Sequence, residues 1–171
     1  MTQTRNDKSG SSLTNFAAVA LAASAVAAFH LAYTWGACGF LIVVFLACLF
    51  TLSRLGTWRR AFYFGLAIGL AVYAPHLSFF WKIFGPAALA LWTVLAFWIG
   101  LFVVLNRVCR VRLGPLWAAV LAPFLWTGLE YFRSELYYLR FSWLNIGYTF
   151  AGAPWQPVLK LTGVYGAGFL L

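Results

Sequence analysis

Acidic side chains are almost missing from this sequence. Among its 171 residues, Asp7, Glu130 and Glu135 are the three that carry a carboxylate, and charged residues of both signs together make up 9%. An average soluble domain holds about 25%. A soluble chain of this length needs a polar shell, and the residues to build one are not here, so a soluble helical core is excluded. Groups for acid–base and metal chemistry are scarce as well. His30 and His76 lie far apart, and Cys38, Cys48 and Cys109 lack metal-ligand spacing and suggest no disulfide framework. There is no Ser/His/Asp set, no phosphate loop and no group of clustered carboxylates. No metal or cofactor is expected.

What is present is apolar: 64% hydrophobic residues, 20% of the chain aromatic. The pattern predicts an integral membrane protein, an all-α polytopic transmembrane helix bundle of about five full spans plus a partial sixth. Residues 1–12 read as a disordered cytoplasmic tail with Arg5 and Lys8, and residues 13–171 as one transmembrane domain. Phe16 to Tyr33 reads as a first helix; a signal peptide with small residues at Ala25 and Ala27 is the alternative, less favoured because the apolar run continues past them. Gly36 to Leu52 is a second run. Ala61 to Ala74 is a third helix, broken near Pro75, and Trp81 to Pro86 a turn. Ala87 to Leu105 is a fourth span, and Leu116 to about Arg133 a fifth, with Pro115 suited to its first turn. An aromatic, partly polar segment then runs from Ser134 to Pro157. The last run, Val158 to Leu171, is shorter than the roughly 20 residues a span needs. It is expected to be a segment cut short, with a re-entrant segment as the alternative.

The net charge of +9 does not point to nucleic acid, because the basic residues form short clusters between apolar runs and not an extended basic stripe. Such clusters set topology. With the N-terminus cytoplasmic, the tail, the Arg54–Arg59–Arg60 loop and the Arg107–Arg110–Arg112 loop all lie inside. The segment from Ser134 to Pro157 is then outside the cytoplasm.

Glu130 is the feature that this composition makes most expensive. An ionisable group at membrane depth needs a partner and is a functional-site candidate by default. Arg133, three residues on, can meet it on one helix face. The pair either lines a lipid or headgroup cavity or only orients the helix. Trp126, Trp143 and Tyr148 belong to a crowd of aromatics at one membrane boundary. Several form an interfacial belt, but Phe141 to Tyr148 also reads as a structured loop capping a lipid cavity, with Gly147 marking a turn. Cys109 sits between Arg107 and Arg110, which favours a thiolate, yet no base accompanies it and it reads as incidental. His30 and His76 read as isolated interfacial side chains. Gly65 and Gly69 form a small-xxx-small pair suited to helix packing.

The stretch Ala122, Pro123, Trp126, Glu130, Arg133, followed by Trp143, Leu144, Gly147 and Tyr148, resembles the membrane domain of bacterial apolipoprotein N-acyltransferases. The resemblance is specific from Ala122 to Tyr148. It is weaker at Ala28-Phe29, Tyr33 and Trp35, at Leu77-Ser78-Phe79, and from Gly163-Val164 to Leu171. Ser142 stands where the family has Pro, Phe79 where it has Trp, and His30-Leu31 replaces a small polar residue and Pro. The resemblance implies a bacterial inner-membrane protein that helps transfer an acyl chain from phospholipid to the N-terminal Cys of diacylated lipoproteins. In the family, a nitrilase-like domain outside the membrane supplies a Glu-Lys-Cys triad: Cys takes the acyl chain as a thioester, Glu acts as base and Lys supports the oxyanion. No residue of this sequence maps onto that triad, so none is expected to be catalytic. Trp126, Glu130, Arg133, Trp143 and Tyr148 are instead expected to shape a cavity for phospholipid and lipoprotein acyl chains. Two rival readings stand beside this one. A non-catalytic scaffold would pair with a separate nitrilase-like subunit; a downstream reading frame encoding the Glu, Lys and Cys would instead mean a split enzyme, and its absence would favour the scaffold. A small transporter would want intramembrane charges on several helices.

Overall fold

The computed structural model describes residues 13–152 and 154–171. The expected tail over residues 1–12 lies outside the described residues. Helices account for nearly all regular structure, and no strand occurs among the described residues. In chain order they are α1 (Asn15–Thr34), a 3-10 turn (Gly36–Leu41), α2 (Ile42–Leu52), α3 (Trp58–His76), α4 (Phe79–Phe84), α5 (Ala87–Leu113), α6 (Pro115–Tyr131), a π turn (Phe132–Leu136), a second 3-10 turn (Ile146–Phe150) and α7 (Gln156–Leu170).

Local chemistry sets the ends. The hydroxyls of Thr14 and Thr57 accept from the backbone N–H of Ala17 and Arg60 at 3.2 and 3.3 Å, capping α1 and α3. Gly114, at φ 94°, ends α5, and Pro115 starts α6 at once. This joins two long helices without a loop and packs them side by side.

Several expected boundaries shift. The run from Gly36 to Leu52 divides, because Gly36 and Gly39 are pressed against Gly152 and the Thr149 carbonyl, where a side chain would collide. A tight 3-10 turn lets the backbone approach that closely, and α2 begins after it. The third helix does not break at Pro75 but runs to His76, with the Leu77 N–H reaching the Tyr73 carbonyl at 2.9 Å. The expected turn over 81–86 is in fact the short helix α4, ended by Gly85 at φ 55°. The last helix is bent at Gly163, whose φ of 68° and ψ of 177° interrupt the helical path.

Two helices are long and apolar enough to cross a membrane, α1 with 20 residues and α5 with 27. At 1.5 Å per residue, α5 reaches roughly 40 Å, more than the roughly 30 Å hydrocarbon core. The other helices are shorter or less apolar: α2 has 11 residues, α6 has 17, and α3 carries Arg59 and Arg60 in its first turn. Large apolar side chains face outward on several helices, among them Phe16, Val111, Leu116 and Leu161.

An extensive seam of close backbone approach joins α3 to α5. A Cβ built on Gly65 would stand 2.7 Å from the Gly100 Cα, and one on Gly69 would stand 2.5 Å from the Ala96 Cα. The obstacle is backbone on both sides, so neither helix can yield by rotating a side chain. The small-xxx-small pair thus does pack helices. In Gly69→Val, α3 and α5 must move apart, and we expect a loss of about 2 kcal/mol, within the range of overpacked cores. Gly128, which faces open space, provides the control. Thermal unfolding in detergent should show Gly69→Val melting well below the parent and Gly128→Ala at or above it.

Candidate functional site

Where α6 ends, the chain widens into the π turn at Phe132–Leu136. This turn delivers Arg133 into the bundle, where it is 2% exposed. A buried guanidinium has five N–H donors to satisfy, and the neighbouring elements supply acceptors. Nη1 donates to the Tyr73 hydroxyl of α3 at 2.9 Å. Nη2 donates to the Trp143 carbonyl at 3.3 Å and to the side-chain oxygen of Asn145. The charge also lies 5.8 Å from the centre of the Tyr73 ring, close enough for a cation–π attraction.

Asn145 is the second centre. It is 1% exposed. Its side chain joins Arg133 and Ser134, donating to the Ser134 Oγ at 3.1 Å. Its carbonyl accepts from the Tyr33 hydroxyl of α1 at 2.8 Å and from the Tyr148 N–H at 2.9 Å. Glu130, one turn before Arg133 on α6, is 5% exposed, and its Oε1 accepts from the Ile146 N–H at 2.8 Å. The segment from Tyr137 to Phe150 is therefore clamped from α1, α6 and the π turn at once. The clamp imposes strain: Arg140 and Leu144 take φ of 42° and 55°, a region unfavourable to side chains by roughly 1–2 kcal/mol. Gly147 then presses against the Val164 carbonyl of α7 so closely that no side chain fits.

The sequence suggested that Glu130 and Arg133 pair along one helix face. They do not. Arg133 spends its terminal nitrogens on Tyr73, Trp143 and Asn145, while Glu130 holds the loop backbone. The i,i+3 geometry belongs to a regular α-helix, and the π turn removes Arg133 from it. The five candidates also divide. Trp126, Glu130 and Arg133 line one small cavity together with Tyr73, Trp98 and Phe102. Trp143 is outside that cavity and packs on Phe79 and Phe80, with ring centres 5.6 and 5.4 Å apart. Tyr148 is half-exposed on the loop turn.

Beside the cluster runs a larger apolar groove of about 350 Å³. Val43 and Phe50 of α2, Ala122 and Trp126 of α6, Phe102 of α5 and Phe169 of α7 form much of its wall. Trp126 and Phe102 belong to both the groove and the polar cavity, and their rings meet edge to face at 4.8 Å.

Some members of this site carry no local signal. Tyr33 and Tyr73 sit in apolar helices, and only the fold shows what their hydroxyls reach. Asn145 offered a faint one, as a lone amide between Leu144 and Ile146. The histidines are a further correction. His30 and His76 are not isolated, for their rings stack at 4.9 Å and His30 Nδ1 lies 3.0 Å from His76 Nε2. They are 46 residues apart in sequence, a separation across which spacing carries no information.

A family model, that of the apolipoprotein N-acyltransferase N-terminal domain, matches residues 21–171. No curated protein and no solved structure matches the chain.

If Asn145 is the joint that holds the segment from Tyr137 to Phe150, Asn145→Leu leaves Arg133 and Ser134 short of partners at a cost of about 2 kcal/mol. Limited proteolysis should then cut residues 137–144 at least tenfold faster than in the parent. Amide exchange at Ile146 gives an independent reading. It should accelerate strongly in Glu130→Leu, which removes the acceptor, and only slightly in Glu130→Gln, which keeps one.

Proposed function

Because the chain belongs to the family of apolipoprotein N-acyltransferase N-terminal domains, we propose that it forms the membrane-embedded part of an enzyme that acylates lipoproteins. In this reading the donor is a membrane phospholipid and the acceptor is the N-terminal Cys of a diacylated lipoprotein. The protein is a multi-pass bundle of the bacterial inner membrane, with its N-terminus and both arginine-rich loops on the cytoplasmic side. The strong inside bias of basic residues supports that orientation. The outward-facing Phe16, Val111, Leu116 and Leu161 support a lipid-facing surface.

One observation carries the functional reading: an apolar groove, open along α2, α6 and α7, backs onto a buried polar cluster that fixes the outer segment. A groove lined by Val43, Phe50, Ala122 and Phe169 is chemically matched to an alkyl chain. Its lining is predominantly apolar, and it is of the size class of ligand pockets. An acyl chain held there leaves its ester near the outer end of α6. Acyl transfer then needs a thiolate to attack the ester carbonyl and expel the lysophospholipid, after which the lipoprotein amine displaces the thiol. None of the described residues is assigned those steps. A nitrilase-like domain, on the same polypeptide or a separate one, provides the thiol, base and oxyanion support. The role of this chain is to position and shield the chains, with Trp126 in the groove's wall, Glu130 and Arg133 behind it in the small polar cavity, and Trp143 and Tyr148 at the rim.

Photo-crosslinking tests the groove. A phospholipid with a diazirine in its acyl chain should label peptides holding Phe50 and Phe169, and Ala122→Phe should reduce the labelling severalfold. Uniform labelling of every outward helix face, unaffected by Ala122→Phe, would leave the groove no special role. The rim is tested separately. With the nitrilase-like domain present, Trp143→Ala should lower acyl transfer more than it lowers the amount of protein in the membrane. Equal loss of both would reduce Trp143 to a packing residue on Phe79 and Phe80.

A further inference from the structure

Four polar atoms face one problem. Trp98 Nε1, Trp126 Nε1, Glu130 Oε2 and Arg133 Nε are each buried with no hydrogen-bond partner among the described residues, and all four residues line the same small cavity. The other two buried side-chain atoms in that condition, on Asn106 and Thr127, belong to residues that do not line it. A buried donor or acceptor without a partner is costly. Four of them around one space is the arrangement expected of a binding site for a small hydrogen-bonding molecule. Glu130 and Arg133 are at least nine-tenths buried, and the rest of their polar atoms are committed to Ile146, Tyr73, Trp143 and Asn145.

Size and chemistry select the molecule. The cavity measures about 10 Å³, roughly what one enclosed water requires. A metal cation or an ammonium group is unsuited, because three of the four groups are N–H donors that would face it. An anion is unsuited because of the Glu130 carboxylate. A molecule that both accepts and donates fits. We propose that Trp98, Trp126, Glu130 and Arg133 bind a single structural water, which accepts from two of the three N–H groups and donates to Glu130 Oε2. The site is separate from the acyl-chain role: it ties α5, through Trp98, to the end of α6, where no direct side-chain bond does so. It also gives the free carboxylate oxygen, which lies against Gly168 of α7, a partner that the apolar groove cannot offer. The walls shared by cavity and groove, Phe102 and Trp126, separate this water from any alkyl chain beyond them.

The whole chain, labelled with ¹⁵N-tryptophan and held in lipid nanodiscs, allows a direct test. Trp98→Phe and Trp126→Phe assign the two indole signals. Since the water accepts from two of three donors and only one donor is Arg133, at least one of the two indoles must show a cross-peak to long-lived water. Glu130→Leu removes the acceptor among the four groups, so that cross-peak should disappear while the other indole signals stay in place. Absence of the cross-peak on both indoles in the parent, or its survival in Glu130→Leu, overturns the proposal. If Glu130→Leu does not fold, a density map decides. A water peak within hydrogen-bonding distance of Glu130 Oε2 and an indole nitrogen supports the site. No peak, at a resolution where other enclosed waters are visible, rejects it. Neither readout depends on acyl transfer, so the fate of this site and that of the functional reading are distinguishable.

Discussion

A guanidinium with 2% exposure cannot persist in an apolar bundle without acceptors, and the end of the bundle that holds the segment from Tyr137 to Phe150 is arranged around satisfying Arg133. Its partners come from three stretches that are distant in sequence: Tyr73 on α3, Trp143 in the loop, and Asn145 just before the second 3-10 turn. Each partner brings its own element to the same place. Asn145 in turn receives the Tyr33 hydroxyl from α1, and Glu130 holds the next backbone amide, that of Ile146. Removing the central charge would strand several buried polar groups at once. Such a network is strong when complete and costly when broken.

Beneath this polar end, the bundle depends on close backbone approach and not on large side chains. Gly65 and Gly69 let α3 meet Gly100 and Ala96 of α5 directly. In a lipid environment there is little hydrophobic gain from one apolar helix touching another, so close contact between small residues is an effective source of attraction. The same device appears around the two 3-10 turns, where Gly36 meets Gly152, Gly39 meets Thr149, and Gly147 meets Val164. These contacts hold the two 3-10 turns and α7 in a fixed relation. That relation sets the groove between α2, α6 and α7, and it places Gly168 beside Glu130.

Segments that resemble the acyltransferase family only weakly gain meaning from this arrangement. Phe79, which stands where the family has Trp, packs on Trp143. Tyr33 donates to Asn145. Phe29 packs on Tyr33 and Tyr73 at 4.6 and 6.2 Å. Two short stretches, residues 28–35 and 77–79, thus converge on the segment from Tyr137 to Phe150, and the match over residues 21–171 encompasses both.

By itself the sequence determined what composition and local spacing can determine. Too few charges remained to build a soluble shell, apolar runs of helical length gave an all-helical chain, Gly65 and Gly69 marked a packing seam, and Glu130 stood out as a buried charge in need of an explanation. It misjudged that explanation, because the i,i+3 rule looks only along one helix and the π turn at Phe132–Leu136 carries Arg133 off the regular path. Asn145 as the joint, the stacked His30 and His76, the common cavity of Trp98, Trp126, Glu130 and Arg133, and the departure of Trp143 and Tyr148 from it were settled only by the tertiary structure. Each depends on contacts between residues far apart in the chain. Local sequence cannot encode such contacts, because hydrogen bonds and ring stacking are set by where the helices finally lie against one another.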